Sequence, residues 1–271
     1  MYYKEKAMDI RTIMGDENEK PLDRLVSDGG FTGIFRTIAC VGDSLASGEF
    51  EVKRVSDGTT MYLDRYDYSW GQYIARMAGS TVYNFSKGGM TAREYMQSFA
   101  NANGFFRPEL AANAYIIALG VNDLLNRKWE LGSIDDIDMN DYRNNKDTFI
   151  GNYAAIIQKY KEISPDARFF LVTMPTGRSA SCDELVKAHR DTMLKFAEIF
   201  KNTYVIDMFT YAPTYDAEFK KNFYLNGHMN PMGYLLTAKF FTSYIDYIIR
   251  HNMPDFKDVG LMGIEYDRSR L

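Results

Sequence analysis

The chain has 271 residues, of which 46% are apolar and 25% charged. That is the balance of a folded protein rather than of a disordered chain or a collagen-like repeat. Thirty-two basic against 36 acidic residues leave a net charge of −4, and no basic stripe marks a nucleic-acid surface, so no nucleic-acid partner is expected. No Pro/Gly/Ser-rich linker divides the sequence, so a single domain over 1–271 is expected, with 1–35 as an N-terminal extension and 251–271 as a C-terminal tail. Cys40 and Cys182 make neither a disulfide framework nor a zinc site, and read as free thiols of a reducing compartment. The stretch Met1–Lys20 lacks the apolar core of a signal peptide. Apolar runs such as Ala114–Leu119 fall far short of the ~20 residues of a membrane helix. The expectation is a cytoplasmic protein without a membrane span.

In chain order, short apolar runs predict a strand at Thr37–Val41, a helix at Trp70–Ala78, and strands at Thr81–Phe85 and Tyr115–Leu119. A helix follows at Lys146–Ile163, where Phe149, Tyr153, Ile156, Ile157 and Tyr160 recur at three- and four-residue steps before Ser164-Pro165. A strand at Phe169–Thr173, a helix at Asp183–Phe200, a strand at Thr203–Ile206 and a helix at Pro231–Arg250 complete the series. Near-continuous apolar strands alternating with helices predict an α/β fold whose parallel sheet is covered on both faces, with right-handed crossovers. In such sheets ligands bind beyond the carboxyl ends of the strands.

The loops at those ends carry chemistry-bearing residues. Gly42-Asp43-Ser44-Leu45 follows the first strand and places the Ser44 hydroxyl at the ligand edge, beside free backbone N–H groups where a helix begins. Asn84 through Thr91 follows the second, and its glycines let a substrate approach the backbone. Gly120-Val121-Asn122-Asp123 follows the third, and Asn122 offers an amide donor. His228 lies in a loop just before the last helix. Each element alone is ordinary, the first three being common turns and helix starts. In this order they assemble a nucleophile, a base and oxyanion donors.

These four blocks resemble the GDSL, or SGNH, hydrolase family, a serine esterase and lipase-like family. Ser44 matches the first block, Gly89 the oxyanion glycine of the second, Asn122 the third, and His228-Met229-Asn230-Pro231-Met232-Gly233 the fourth. The resemblance spans roughly 37–248. It implies a flavodoxin-like three-layer α/β/α sandwich with a five-stranded parallel sheet, and ester hydrolysis without metal or cofactor. It assigns Ser44 as nucleophile, His228 as base, and the N–H groups of Ser44 and Gly89 with the Asn122 amide as oxyanion donors. One position departs from the pattern: where the family places an Asp three residues before the His, Leu225 stands. Three outcomes follow. A backbone carbonyl near Leu225 could accept the His228 Nδ1–H, an acid such as Asp216 or Glu218 could take the role, or the site could have decayed.

Other features carry less. Asp136-Ile137-Asp138-Met139-Asn140-Asp141, with Asp147 at the twelfth position, imitates a calcium loop but has Asp141 where that loop needs glycine. The surrounding segment, Asn126–Lys146, is long for a loop, and long loops at this edge often shape a substrate pocket. Tyr62, Tyr66, Tyr68 and Trp70 could line a pocket or pack a loop onto the core. His189 is expected on the exposed side of its helix, His251 at a helix C-terminus, and Arg178 at the ligand edge, where it could meet an anionic group. The leading reading is a serine esterase acting on a small-molecule ester, with an acylated sugar among the candidates. A decayed, carbohydrate-binding hydrolase is the alternative, motivated by Leu225. A flavin or nucleotide binder is the third, and it lacks a Gly-x-Gly-x-x-Gly or P-loop pattern. Acyl and alcohol specificity, and oligomeric state, are not written in the composition or the spacing.

Overall fold

The computed structural model describes residues 8–16, 18–177, 179–267 and 269. β1 (Thr37–Gly42) is followed by a single helical turn, α1 (Ser44–Ser47), and then by an antiparallel hairpin of β2 (Glu49–Lys53) and β3 (Thr60–Asp64). α2 (Trp70–Ala78), β4 (Thr81–Ser86), β5 (Ala114–Ala118), α3 (Phe149–Ile163), β6 (Arg168–Val172), α4 (Ala180–Ile199) and β7 (Thr203–Ile206) complete the alternating body. α5 (Ala217–Phe223), a short hairpin of β8 (Tyr224–Leu225) and β9 (His228–Met229), and α6 (Pro231–His251) follow.

The main sheet has the order β4-β1-β5-β6-β7, and its pairings are parallel. Period-two alternation divides its side chains between two cores. Ala39, Val41, Tyr115, Ile117, Phe169 and Leu171 face α3 and α4, meeting Tyr153, Ile157, Met193 and Phe196. Ile38, Cys40, Ile116, Phe170 and Val172 face α2 and α6, meeting Trp70, Ile74, Phe241 and Ile245. The result is a three-layer α/β/α sandwich. The five strand runs expected from sequence are the five strands of this sheet, shifted by at most one residue at an end. α3 starts at Phe149 because Thr148 caps it, its hydroxyl accepting from the Gly151 N–H at 3.2 Å.

The β2–β3 hairpin was not among the expected elements. Its pattern is nevertheless regular: Glu-Phe-Glu-Val-Lys and Thr-Met-Tyr-Leu-Asp flank an Asp57-Gly58 turn. Phe50 points to the α6 side, with ring centroids 5.9 Å from Tyr68 and 5.7 Å from Tyr234. Glu49 and Glu51 therefore share the opposite face. Tyr62, directly across from Glu51 in register, shares that face as well.

Two expectations fail here. His189 is fully buried, not exposed, because it shares a helix face with Val186, Met193 and Phe196. Its Nε2 lies 3.1 Å from the Leu119 carbonyl, and burial pushes its pKa down to about 4, so it is neutral and donates to that carbonyl. Of the loop Asn126–Lys146, Asn126 alone among the described residues lines the cavity described below, and the remainder does not shape it. It folds on itself around Asp136, which accepts from Lys146 Nζ at 2.9 Å, the Ser133 N–H at 2.9 Å and the Thr148 hydroxyl at 3.0 Å. Asp138 is likewise engaged by Asn140, Asp141 and Asn144. Among the described residues no helix is long and apolar enough to cross a membrane.

Candidate active site

A cavity of about 730 Å3 opens at the carboxyl ends of the strands. Ser44, Gly89, Asn122 and His228, the four residues singled out from sequence, all line it. Trp70, Val172, Met208, Met229 and Phe241 give it an apolar interior. Tyr62, Asn126, Lys220 and Asn226 stand at its exposed rim.

Each side chain is placed by a local device. Gly42 ends β1 without room for a side chain, since a Cβ there would stand 2.5 Å from Ala46 Cβ and 3.1 Å from the Ala118 carbonyl oxygen. The next residue, Asp43, caps α1 by accepting the Leu45 N–H at 3.1 Å, which sets Ser44 at the first helical position. Asp43 is buried, and this pushes its carboxyl up to about 6, against the Leu45 hydrogen bond and the attraction of His228. Gly89 turns the chain with φ +73°, and the space where its Cβ would stand is open. That is what a backbone N–H needs if a substrate oxygen is to approach it.

Asn122 is held on both sides. Its Nδ2 donates to the Met90 carbonyl at 3.1 Å and reaches Asp43 Oδ2 at 3.4 Å, while its Oδ1 accepts from Asn126 at 2.8 Å. The amide is thus oriented with its donor toward Met90 and Asp43, and the long contact to Asp43 is the weaker one. The adjoining Asp123 is fully buried, and its Oδ1 accepts the Ala92 N–H at 2.9 Å. Burial pushes that carboxyl up to about 7 against the Ala92 hydrogen bond.

His228 sits on β9, half-buried, with Tyr62 edge-on at 5.8 Å. Its Nδ1 lies 3.3 Å from Glu51 Oε2, and its Nε2 lies 3.1 Å from Glu49 Oε1. Glu49 is raised above the usual carboxylate range by burial, opposed by His228 and reinforced by Asp64 and Glu51. No hydrogen bond joins Ser44 to His228 among the described residues. Neither acid foreseen near His228 reaches it: Asp216 caps α5 by accepting from the Phe219 N–H at 2.9 Å, and Glu218 lies exposed in the first turn of that helix. Of the aromatic group, Tyr62 and Trp70 line the cavity, whereas Tyr66 donates to the Val82 carbonyl at 3.2 Å and Tyr68 packs on Phe50. His251 stacks on Tyr247 at 3.9 Å, remote from the cavity lining. Arg178 lies outside the described residues.

A parallel α/β/α sandwich of this order, with these four blocks at one sheet edge, defines an ester-hydrolysing enzyme. The chain belongs to the GDSL-like lipase/acylhydrolase family, whose model matches residues 40–236. Among curated proteins no sequence matches. Solved structures with the same fold include a family two carbohydrate esterase from Clostridium thermocellum in complex with cellohexaose, at TM-score 0.56 and 14% identity, with 81% of this chain and 65% of that one covered. They also include a protein from Lactobacillus plantarum, at TM-score 0.56 and 14% identity, covering 78% and 97%. A third is the psychrotrophic esterase EstA from Pseudoalteromonas sp. inhibited by monoethylphosphonate, at TM-score 0.52 and 16% identity, covering 79% and 98%. At these identities the likeness is one of fold.

Proposed function

We propose that the protein hydrolyses carboxylic esters through a Ser44 acyl-enzyme, with His228 as general base and an oxyanion hole made by the N–H groups of Ser44 and Gly89 and the amide of Asn122. The observation that carries this reading is the convergence of these four residues on one cavity. Ser44 Oγ attacks the ester carbonyl while His228 Nε2 takes its proton. The oxygen that becomes negative is held by donors already oriented, so little reorganisation is needed as charge develops. His228 then gives the proton to the leaving alcohol. Water repeats the sequence on the acyl-enzyme, with His228 again as base.

In the free enzyme Nε2 rests beside Glu49 rather than on Ser44. Catalytic hydrogen bonds of this kind commonly tighten only when substrate is bound. The substrate reading is a small or carbohydrate-linked acyl ester. It is favoured by the exposed Tyr62 ring beside His228, a surface on which a sugar can stack, and by the polar rim of Asn126, Asn226 and Lys220. A carbohydrate esterase of like fold is consistent with it. The apolar interior takes the acyl group.

The test is release of acid from p-nitrophenyl acetate and from acetylated oligosaccharides. Wild type is expected to turn over both. Ser44→Ala and His228→Ala are each expected to lose at least about 10⁴-fold in kcat. Turnover by Ser44→Ala near the wild-type rate contradicts the assignment.

A further inference from the structure

The position three residues before His228 holds Leu225, a partly exposed side chain that can accept no proton. An acid reaches the imidazole from 177 residues upstream instead. Glu51 Oε2 lies 3.3 Å from His228 Nδ1 and accepts the Gly227 N–H at 3.1 Å. Asn226 Nδ2 donates to the Glu51 carbonyl at 3.1 Å, so backbone and side chain of Glu51 both engage the tip of the β8–β9 hairpin. Gly227 makes the approach possible, since a Cβ there would stand 2.4 Å from Glu51 Oε2.

The register of β2 decides which residues can do this. Phe50 is anchored on Tyr68 and Tyr234, so Glu49 and Glu51 must both face the histidine, and a slip of one residue would withdraw both. The two carboxylates divide the ring between them. Glu49 takes Nε2, on the side that lines the cavity. Its Oε2 crowds Gly88, where a Cβ would stand 2.2 Å away. Glu51 takes Nδ1, and Glu51 does not line the cavity.

We propose that Glu51 is the positioning acid of His228, taking from an upstream hairpin the role that an Asp at position 225 would have filled. The inference rests on Ser44 and His228 being nucleophile and base. Glu51 accepts the Nδ1–H, which fixes the tautomer whose lone pair is on Nε2, and its negative charge stabilises the imidazolium once the Ser44 proton arrives. The proton moves from Ser44 Oγ to Nε2 as the Oγ–C bond forms. It moves from Nε2 to the alcohol oxygen as the C–O bond breaks. The Nδ1–H stays on the ring throughout. Glu49 cannot fill this role, because the nitrogen it faces is the one that must exchange the proton with Ser44 and the leaving group.

Glu51→Gln, Glu51→Asp and Glu49→Gln in the full chain test this, with Ser44→Ala and His228→Ala beside them. The readouts are kcat and KM on p-nitrophenyl acetate and the far-downfield proton resonance of a histidine Nδ1–H held by a carboxylate. Glu51→Gln is expected to lower kcat about 10²–10⁴-fold with KM little changed, by comparison with the ~10⁴-fold cost of removing a triad carboxylate in a serine protease. It is also expected to lose the downfield resonance. Glu51→Asp is expected to recover part of the rate, and Glu49→Gln to keep the resonance. A Glu51→Gln protein that keeps the resonance or turns over within a few-fold of wild type overturns the proposal, as does loss of the resonance in Glu49→Gln alone. If Ser44→Ala or His228→Ala retains full turnover, it is the nucleophile and base assignment that fails, and the two failures are told apart.

Discussion

The parallel sheet and the β2–β3 hairpin bring side chains to the same cavity by different rules. The sheet does so through backbone ends: Ser44 and Asn122 follow β1 and β5, and Gly89 follows β4, so three of the four family residues are fixed by strand order and by turns such as Gly42 and Gly89. The hairpin does so through face selection. Glu49, Glu51 and Tyr62 reach His228 because alternation puts them on one side of a two-stranded ribbon and Phe50 on the other. Side chains delivered by the sheet sit on a core buried on both faces. Those delivered by the hairpin depend on one aromatic anchor and on contacts to a second hairpin. The lesson is that residues at one cavity can be placed by the ends of a buried sheet while the carboxylates beside His228 are carried by a peripheral hairpin.

Beyond the Ser44, His228 and Glu51 variants already described, the largest expected effect falls on the sheet side. On the proposed mechanism, Asn122→Ala removes one oxyanion donor and should lower kcat by about 10²–10³-fold, the usual cost of one such group. Steady-state kinetics on an activated ester measures it, and an unchanged kcat removes Asn122 from the oxyanion hole.

A smaller effect concerns stability beneath the same strand end. Asp123 carries a folded-state pKa raised to about 7 from an ordinary 3.8. The folded protein therefore holds this proton over a range where the unfolded chain has released it. Its stability contribution is complete below about 4 and is lost as pH rises through about 7. Asp43, raised to about 6, adds a loss of the same sign. Asp123→Asn keeps a neutral side chain at every pH. The difference in Tm between variant and wild type should grow in the variant's favour from pH 4.5 to pH 8, by a few degrees. A difference independent of pH contradicts the buried, protonated state.

The smallest effect belongs to the hairpin. Tyr62→Ala should raise KM for acetylated oligosaccharides about 2- to 10-fold, the scale of one lost ring contact. It should leave p-nitrophenyl acetate nearly unchanged. Equal effects on both substrates would move Tyr62 from sugar stacking to support of His228.

The same contrast explains what could be read from sequence. Strands buried on both faces leave continuous apolar runs, such as Thr37–Val41 and Phe169–Thr173, and these identify themselves. The residues just beyond them, Ser44, Gly89 and Asn122, inherit that legibility. The hairpin strands are half-exposed, and their only local signals are alternation and Asp57-Gly58. Glu51 meets His228 across 177 residues, so no spacing rule near the histidine could point to it. His189 departs from the expected exposed position for a different reason. The steps Val186, His189, Met193 and Phe196 describe one buried helix face, and a polar residue sits there because its Nε2–H meets the Leu119 carbonyl left over at the end of β5. The loop Asn126–Lys146 suggests a pocket wall by its length, yet beyond Asn126 it is folded on itself, with Asp136 and Asp138 engaged by Lys146, Thr148 and Asn144 rather than by the cavity.

The central claim is that Ser44 is an activated nucleophile despite Leu225. Its most direct test is the intact mass of the protein after incubation with a fluorophosphonate, for wild type and Ser44→Ala side by side. A single adduct on wild type and none on Ser44→Ala is the predicted result. No adduct on wild type, under conditions that label a control esterase fully, would contradict it.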